Sequence, residues 1–145
     1  MSTTLTLDHI HAIMDPIDQG DWSKLYEAID ENVRWWIGAD KYNPDAATGV
    51  YVRCSIITSN LQEWTEKVRN RLLPKLDGGI TMKSNTMDII GQKVIIEASG
   101  TAKQKNGRPY NNRFCWIFIF NDAGKIVEIR EYMNTALVQE VFTTN

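Results

Sequence analysis

The chain has 145 residues, 43% of them hydrophobic and 23% charged, which suits one domain with a sizeable core. Its formal net charge of −2 offers no broad cationic surface, and this argues against nucleic acid or an anionic membrane as partner. No stretch is long and apolar enough to span a bilayer.

Thr6 is placed to cap a first helix, with Asp8 in the turn where the helix dipole favours an anion. Ile10, Ile13, Met14 and Ile17 recur at helical spacing, and Pro16 predicts a kink or end near Asp15. Gly20 breaks the chain. Asp21 can cap a short second helix carrying Trp22, Leu25, Tyr26 and Ile29 on one side. Val33 to Ile37 reads as a strand. Turn formers from Gly38 to Gly49 mark a long loop, and Val50 to Val52 a short strand. Ile57, Leu61, Trp64, Val68 and Leu72 form the stripe of a long helix that Pro74 and Asp77-Gly78-Gly79 end.

Four strands follow: Ile80 to Ile90, Lys93 to Lys103, Tyr110 to Phe120 and Lys125 to Tyr132. Asn106-Gly107 and the Asn121 to Gly124 cluster are hairpin signals, so these strands are antiparallel neighbours. Gly100 inside a strand pattern suggests a bend or bulge. Thr135 to Phe142 is a final helical turn or a tail. With no linker or repeat, residues 1–145 read as a single domain of the α+β class, helices on one face of a bent sheet.

Alternation sorts the faces. In the last strand Val127, Ile129, Glu131 and Met133 share the side that reads as interior. Glu131 is then a carboxylate in an apolar row, and burying it unpaired costs energy or raises its pKa. Its ordinary reading is a strand-end acid bonded to backbone or water. In the third strand Asn112, Phe114, Trp116, Phe118 and Phe120 share one side, and Arg113, Cys115, Ile117 and Ile119 the other. Both sides are largely apolar. Helices cover one, and a second copy of the chain is the natural cover for the other, which predicts a homodimer. In the second strand Val94, Ile96, Ala98 and Ala102 look like core, which leaves Glu97 on the solvated side. Trp35 and Trp36 are consecutive, so one faces in and one out. Tyr51 and Arg53 lie near the pocket mouth, and Asp40 and Tyr42 on the loop as a lid. For these four, packing or surface roles are the ordinary reading.

Only two histidines occur, His9 and His11, both in the first helix. Neither a histidine-based nucleophilic triad nor a histidine-rich metal site is expected. Cys54 and Cys115 lack CxxC spacing and read as small buried residues of a reducing, cytoplasmic protein. Met1 to Leu7 has no leader-like pattern.

Gly107-Arg108-Pro109-Tyr110-Asn111-Asn112-Arg113, Gly124-Lys125-Ile126-Val127 and Arg130-Glu131-Tyr132-Met133-Asn134-Thr135-Ala136 resemble the SnoaL-like family of the NTF2-like superfamily. The size and the Trp-rich early strand also resemble a branch of small fungal isomerases that tailor meroterpenoids and polyketides. The resemblance implies an NTF2-like cone, a curved antiparallel sheet wrapped around the N-terminal helices. It sets Glu131 on the position of a catalytic Asp in limonene epoxide hydrolase. It sets Glu97 and Ser99 where that enzyme keeps its Arg and second Asp, so that set is not reproduced. Asn134 stands where many SnoaL-like chains have Asp. The match also turns Glu97 inward, against the alternation, and it is given the greater weight.

The expected function is a cofactor-independent, metal-free isomerase or cyclase acting by acid–base catalysis on a small apolar terpenoid or polyketide. Glu131 and Glu97 are the expected acid/base pair. Trp35, Tyr51, Asn112, Phe114, Trp116 and Asp40 are the expected substrate contacts. The alternatives are a hydrolase of an epoxide or lactone in the same pocket, and a non-catalytic binding or dimerisation module.

Overall fold

The structure is a computed structural model that describes residues 4–38, 41–43, 48–54 and 69–145, with backbone alone for 50–54. Helix α1 spans Leu7–Asp18. Its start is fixed by Thr6, whose hydroxyl accepts from the His9 backbone N–H at 3.2 Å. Ile10, Ile13, Met14 and Ile17 are its buried stripe. The helix does not end at Asp15. Pro16 lies in its last turn, where one lost backbone bond costs little, and Gly20 N–H closes the end on the Ile17 carbonyl. Helix α2 spans Ser23–Ala28, with the Asp21 carboxylate accepting from the Ser23 N–H at 2.9 Å.

Strands β1 (Ile29–Ile37), β2 (Val50–Cys54), β3 (Leu76–Ile90), β4 (Lys93–Gln104), β5 (Pro109–Phe120) and β6 (Ile126–Tyr132) form one sheet among the described residues. Its order is β2-β1-β6-β5-β4-β3. The three expected hairpins are present. The sheet is not wholly antiparallel, because β1 lies parallel to β6. That pairing places residues far apart in sequence side by side, which no turn signal announces. The expected long helix falls mostly on residues 55–68, outside the described residues. Its C-terminal turns, Asn70–Leu72 and the 3-10 turn Leu73–Lys75, run through Pro74 into β3.

Two features of the sheet aim its inner face. A bulge in β6 sets Ile126 opposite Phe120 but Glu128 opposite Ile119, so Val127 is the extra residue. Ile126 is therefore buried and Val127 only half-buried, the reverse of simple alternation. Gly100, by contrast, sits in unbroken register with Met82 and Asn112. It is no bulge. A Cβ there would lie 2.8 Å from Ile80 Cδ1 and 2.9 Å from Phe114 Cε2, so the glycine makes room for inward side chains.

Helix α3 (Thr135–Thr144) is a full helix rather than a tail, capped by the Asn134 side chain, which accepts from the Leu137 N–H. The main core lies between α1, α2 and the inner sheet face, and gathers Ile10, Met14, Ile96, Phe118 and Ile129. A second cluster of Leu76, Tyr110, Val138 and Val141 seats α3 across the other end. The outer sheet face carries half-buried Ile95, Cys115, Ile117 and Ile119.

Candidate active site

Between α2, the inner sheet face and α3 lies a cavity of about 550 Å³. Trp22 and Tyr26 reach it from α2, and Ile80 and Met82 from β3. Tyr110, Phe114 and Trp116 come from β5, Glu131 and Met133 from β6 and the residue after it, and Val138 and Phe142 from α3. The walls are mostly rings. Phe114 and Trp116 have centroids 5.5 Å apart, and Trp22 meets Trp116 edge-on at 6.3 Å.

Glu131 faces this cavity with 8% of its surface exposed. Among the described residues no hydrogen bond or ion pair to its carboxylate meets standard geometry. Burial pushes its pKa from 4.5 up to about 7, opposed in part by the nearby Trp116 indole. The Trp116 N–H leans towards the carboxylate, its cross-strand neighbour, yet forms no hydrogen bond of standard geometry among the described residues. The backbone beneath the acid is tightly held: the Gly38 N–H donates to the Glu131 carbonyl at 2.7 Å. A Cβ at Gly38 would lie 2.7 Å from that oxygen, so only glycine lets β1 approach β6 this closely.

Phe114 and Trp116 line the cavity as the sequence predicts. Several other expected residues stand elsewhere. Glu97 is exposed on the outer face, accepting from the Thr86 hydroxyl at 3.0 Å. Strand alternation decides its side, since Ile96 and Ala98 are both buried inward. Asn112 faces inward but is used up structurally. Its amide donates to the Tyr110 hydroxyl and the Asn134 carbonyl, and its Oδ1 accepts from the Asn134 N–H at 2.9 Å. It pins the strand-to-helix junction rather than facing a ligand. Trp35 is the inward member of its pair, but it packs in the core with Val33 and Ile37 and is not among the cavity-lining residues. Tyr51 pairs with Trp36 through the backbone of β2, and its side chain is not described. Asp40 lies outside the described residues.

Tyr110, Trp22 and Tyr26 are site residues the sequence reading missed. Tyr110 lies two residues before Asn112, so the same alternation that turned Asn112 inward also turns Tyr110 inward. Its hydroxyl accepts from Asn112, which leaves its own hydrogen to donate. Burial raises its pKa to about 12, so it remains protonated. Trp22, at the N-cap of α2, and Tyr26 are four apart, one helical turn, and so share a side. Among the described residues no group of three or more His, Cys, Asp and Glu side chains converges to hold a metal. No helix among them is long and apolar enough to cross a membrane.

No family model and no curated protein matches this sequence. Solved structures do match. An NTF2-like protein of unknown function from Burkholderia pseudomallei superposes with a TM-score of 0.71 at 13% identity, covering 94% of this chain and 96% of that one. The chain has the NTF2-like fold. Another match is PrhC from Penicillium brasilianum, with TM-score 0.66, 16% identity, and 93% and 83% of the two chains covered. A protein assigned as a SnoaL-like polyketide cyclase, from Jannaschia sp. CCS1, gives 0.64 at 13% identity over 96% and 92%. The SnoaL-like resemblance of the sequence thus agrees with the fold, and at these identities fold is what the likeness carries.

Proposed function

We propose that this NTF2-like chain is a cofactor-independent isomerase or cyclase that moves a proton within a small, largely apolar ketone of polyketide or terpenoid type. One observation carries the reading: a single carboxyl, Glu131, faces a ring-walled cavity with no fixed partner among the described residues and titrates near neutrality. A base with a pKa near the working pH is the efficient kind, and such catalysis contributes roughly 10²–10⁴-fold. With Glu97 on the outer face, one group does both jobs. The Glu131 carboxylate takes a proton from the carbon beside a carbonyl, the C–H pair becomes an enolate, and the resulting acid returns the proton to another carbon. No atom is gained or lost.

The resemblance to fungal tailoring isomerases and the SnoaL-like structural neighbour support this substrate class. The reading also takes the chain to form a homodimer through its outer sheet face, where Ile95, Ile117 and Ile119 lie half-buried.

The test is deuterium uptake. β,γ-Unsaturated and 1,3-dicarbonyl ketones of polyketide type, incubated with the protein in heavy water, are expected to gain deuterium beside the carbonyl. The Glu131→Gln variant should fold and lose this uptake; uptake that survives the substitution removes Glu131 from the mechanism. Parallel incubation of epoxides and lactones in heavy-oxygen water covers the hydrolytic alternative, for which label would enter the product. A binding module would give neither signal.

A further inference from the structure

Trp116 is 4% exposed and lines the cavity, and its indole N–H leans towards the Glu131 carboxylate without forming a hydrogen bond of standard geometry among the described residues. A buried donor without a partner costs about 1–3 kcal/mol. Its ring is already well packed, against Phe114, Phe118 and Trp22, so packing alone does not call for a nitrogen here. Trp116 and Glu131 face each other on one rung of the β5–β6 pair. Facing residues of an antiparallel pair lie about 5 Å apart at Cα. A donor and a base on one rung therefore address neighbouring atoms of one molecule.

We infer that the Trp116 indole N–H is the hydrogen-bond donor for a ligand carbonyl oxygen, and that the ligand class is an enolisable ketone held with its acidic carbon at Glu131. This deepens the function proposed above and rests on it for the role of Glu131. A carbonyl fits better than a hydroxyl or amine. An indole N–H only donates, so the ligand atom it meets must accept, and a carbonyl accepts without bringing a hydrogen that would occupy the Glu131 carboxylate needed at the acidic carbon. As the enolate forms, its oxygen becomes the stronger acceptor, so the same donor holds the reacting state more tightly than the ground state.

The test uses two probes of one shape, 2-tetralone, an enolisable ketone, and tetralin, which lacks the oxygen. Binding to the intact chain is measured by calorimetry and by the indole signals of ¹⁵N-labelled protein, with the Trp116 signal assigned by its loss in Trp116→Phe. The expected result is tighter binding of 2-tetralone by about 3- to 10-fold, the range of one net hydrogen bond. The Trp116 indole proton should move downfield with 2-tetralone and not with tetralin. Trp116→Phe keeps an aromatic ring without the N–H and should erase the difference between the probes while still taking up tetralin.

Equal affinities in the unaltered protein, no uptake of either probe, or a ketone preference that survives Trp116→Phe each overturn the inference. Should that variant fail to fold, the unaltered protein decides alone: no indole signal moving downfield with 2-tetralone and not with tetralin overturns the inference. Exchange of the 2-tetralone C1 protons in heavy water reads Glu131 separately. A ketone preference without exchange leaves the donor standing and removes the base; exchange without the preference does the reverse.

Discussion

Glu131 ties the chemistry of the cavity to the stability of the molecule. Its carboxyl titrates near 7 in the fold and near 4.5 in the unfolded chain. Below pH 4.5 both states hold the proton and nothing is lost. Between 4.5 and 7 the unfolded chain releases it while the fold keeps it, so stability falls as pH rises. Above 7 the folded protein carries a desolvated anion, at a cost on the order of 3 kcal/mol. Glu131→Gln should flatten this slope, leaving a variant more stable than the parent at pH 8 and without advantage at pH 4. Urea unfolding across that range measures it, and parallel curves for the two proteins would contradict the burial argument. Catalysis should run the other way, rising through an apparent pKa near 7 as the base ionises. The residue scale is also where the sequence was most and least informative. Alternation is enough to turn Glu131 inward and to set Phe114 and Trp116 together on one side of β5. The fate of Asn112 was not legible, because its partners, Tyr110 and Asn134, are set by how β5 meets the start of α3. Glu97 follows the period of its own strand, fixed by inward Ile96 and Ala98, and not the inward placement that the family resemblance implies.

Two glycines separate framework from cavity at the scale of elements. Gly38 faces a backbone oxygen, which cannot step aside, while Gly100 faces the ends of Ile80, Phe114 and Met82, which can. Gly38→Ala should therefore strain the β1–β6 pairing and destabilise by about 1–3 kcal/mol, as overpacking does. Gly100→Ala should cost the fold less and instead push ring and methyl groups into the cavity, weakening 2-tetralone binding. Thermal unfolding and calorimetry on both variants check the contrast; it fails if Gly100→Ala is the more destabilised or binds normally. Elements with local signals were readable: the Thr6 cap, the α1 stripe and the hairpins at Asn106-Gly107 and Asn121 to Gly124. Elements defined by remote contact were not. The parallel β1–β6 pair joins segments about 95 residues apart, as Arg34 opposite Glu128 shows. The sequence reads α3 as a final helical turn or a tail, short of the full helix, because Val138 and Val141 find their apolar partners, Leu76 and Tyr110, only in the folded chain.

On the scale of the molecule, the inner face of the sheet is covered by α1, α2 and α3, and among the described residues no element packs on the outer one. Half-buried Ile95, Ile117 and Ile119 share the outer face with the Glu128–Arg130 ion pair. The proposed homodimer predicts a mass of two chains by light scattering at micromolar concentration. Ile117→Glu should give monomers with the cavity and the Glu131 titration intact. A monomer in the unaltered protein, or a dimer indifferent to Ile117→Glu, would place any self-association elsewhere. That both faces of β5 are apolar was legible in the sequence; which of them encloses the hollow was not, because that depends on where α1, α2 and α3 settle.

The supernumerary residue at Val127 has a consequence for the sign of the charge inside. Counting from Ile126, an uninterrupted strand would turn residues 128 and 130 inward, presenting Arg130 to the hollow and Glu131 to water. One added residue shifts the frame and exchanges a guanidinium for a carboxyl. Excising Val127 would therefore only straighten β6 and leave Glu131 facing inward, whereas pairing Val127 into the ladder would turn Arg130 inward and make an acidic pocket basic.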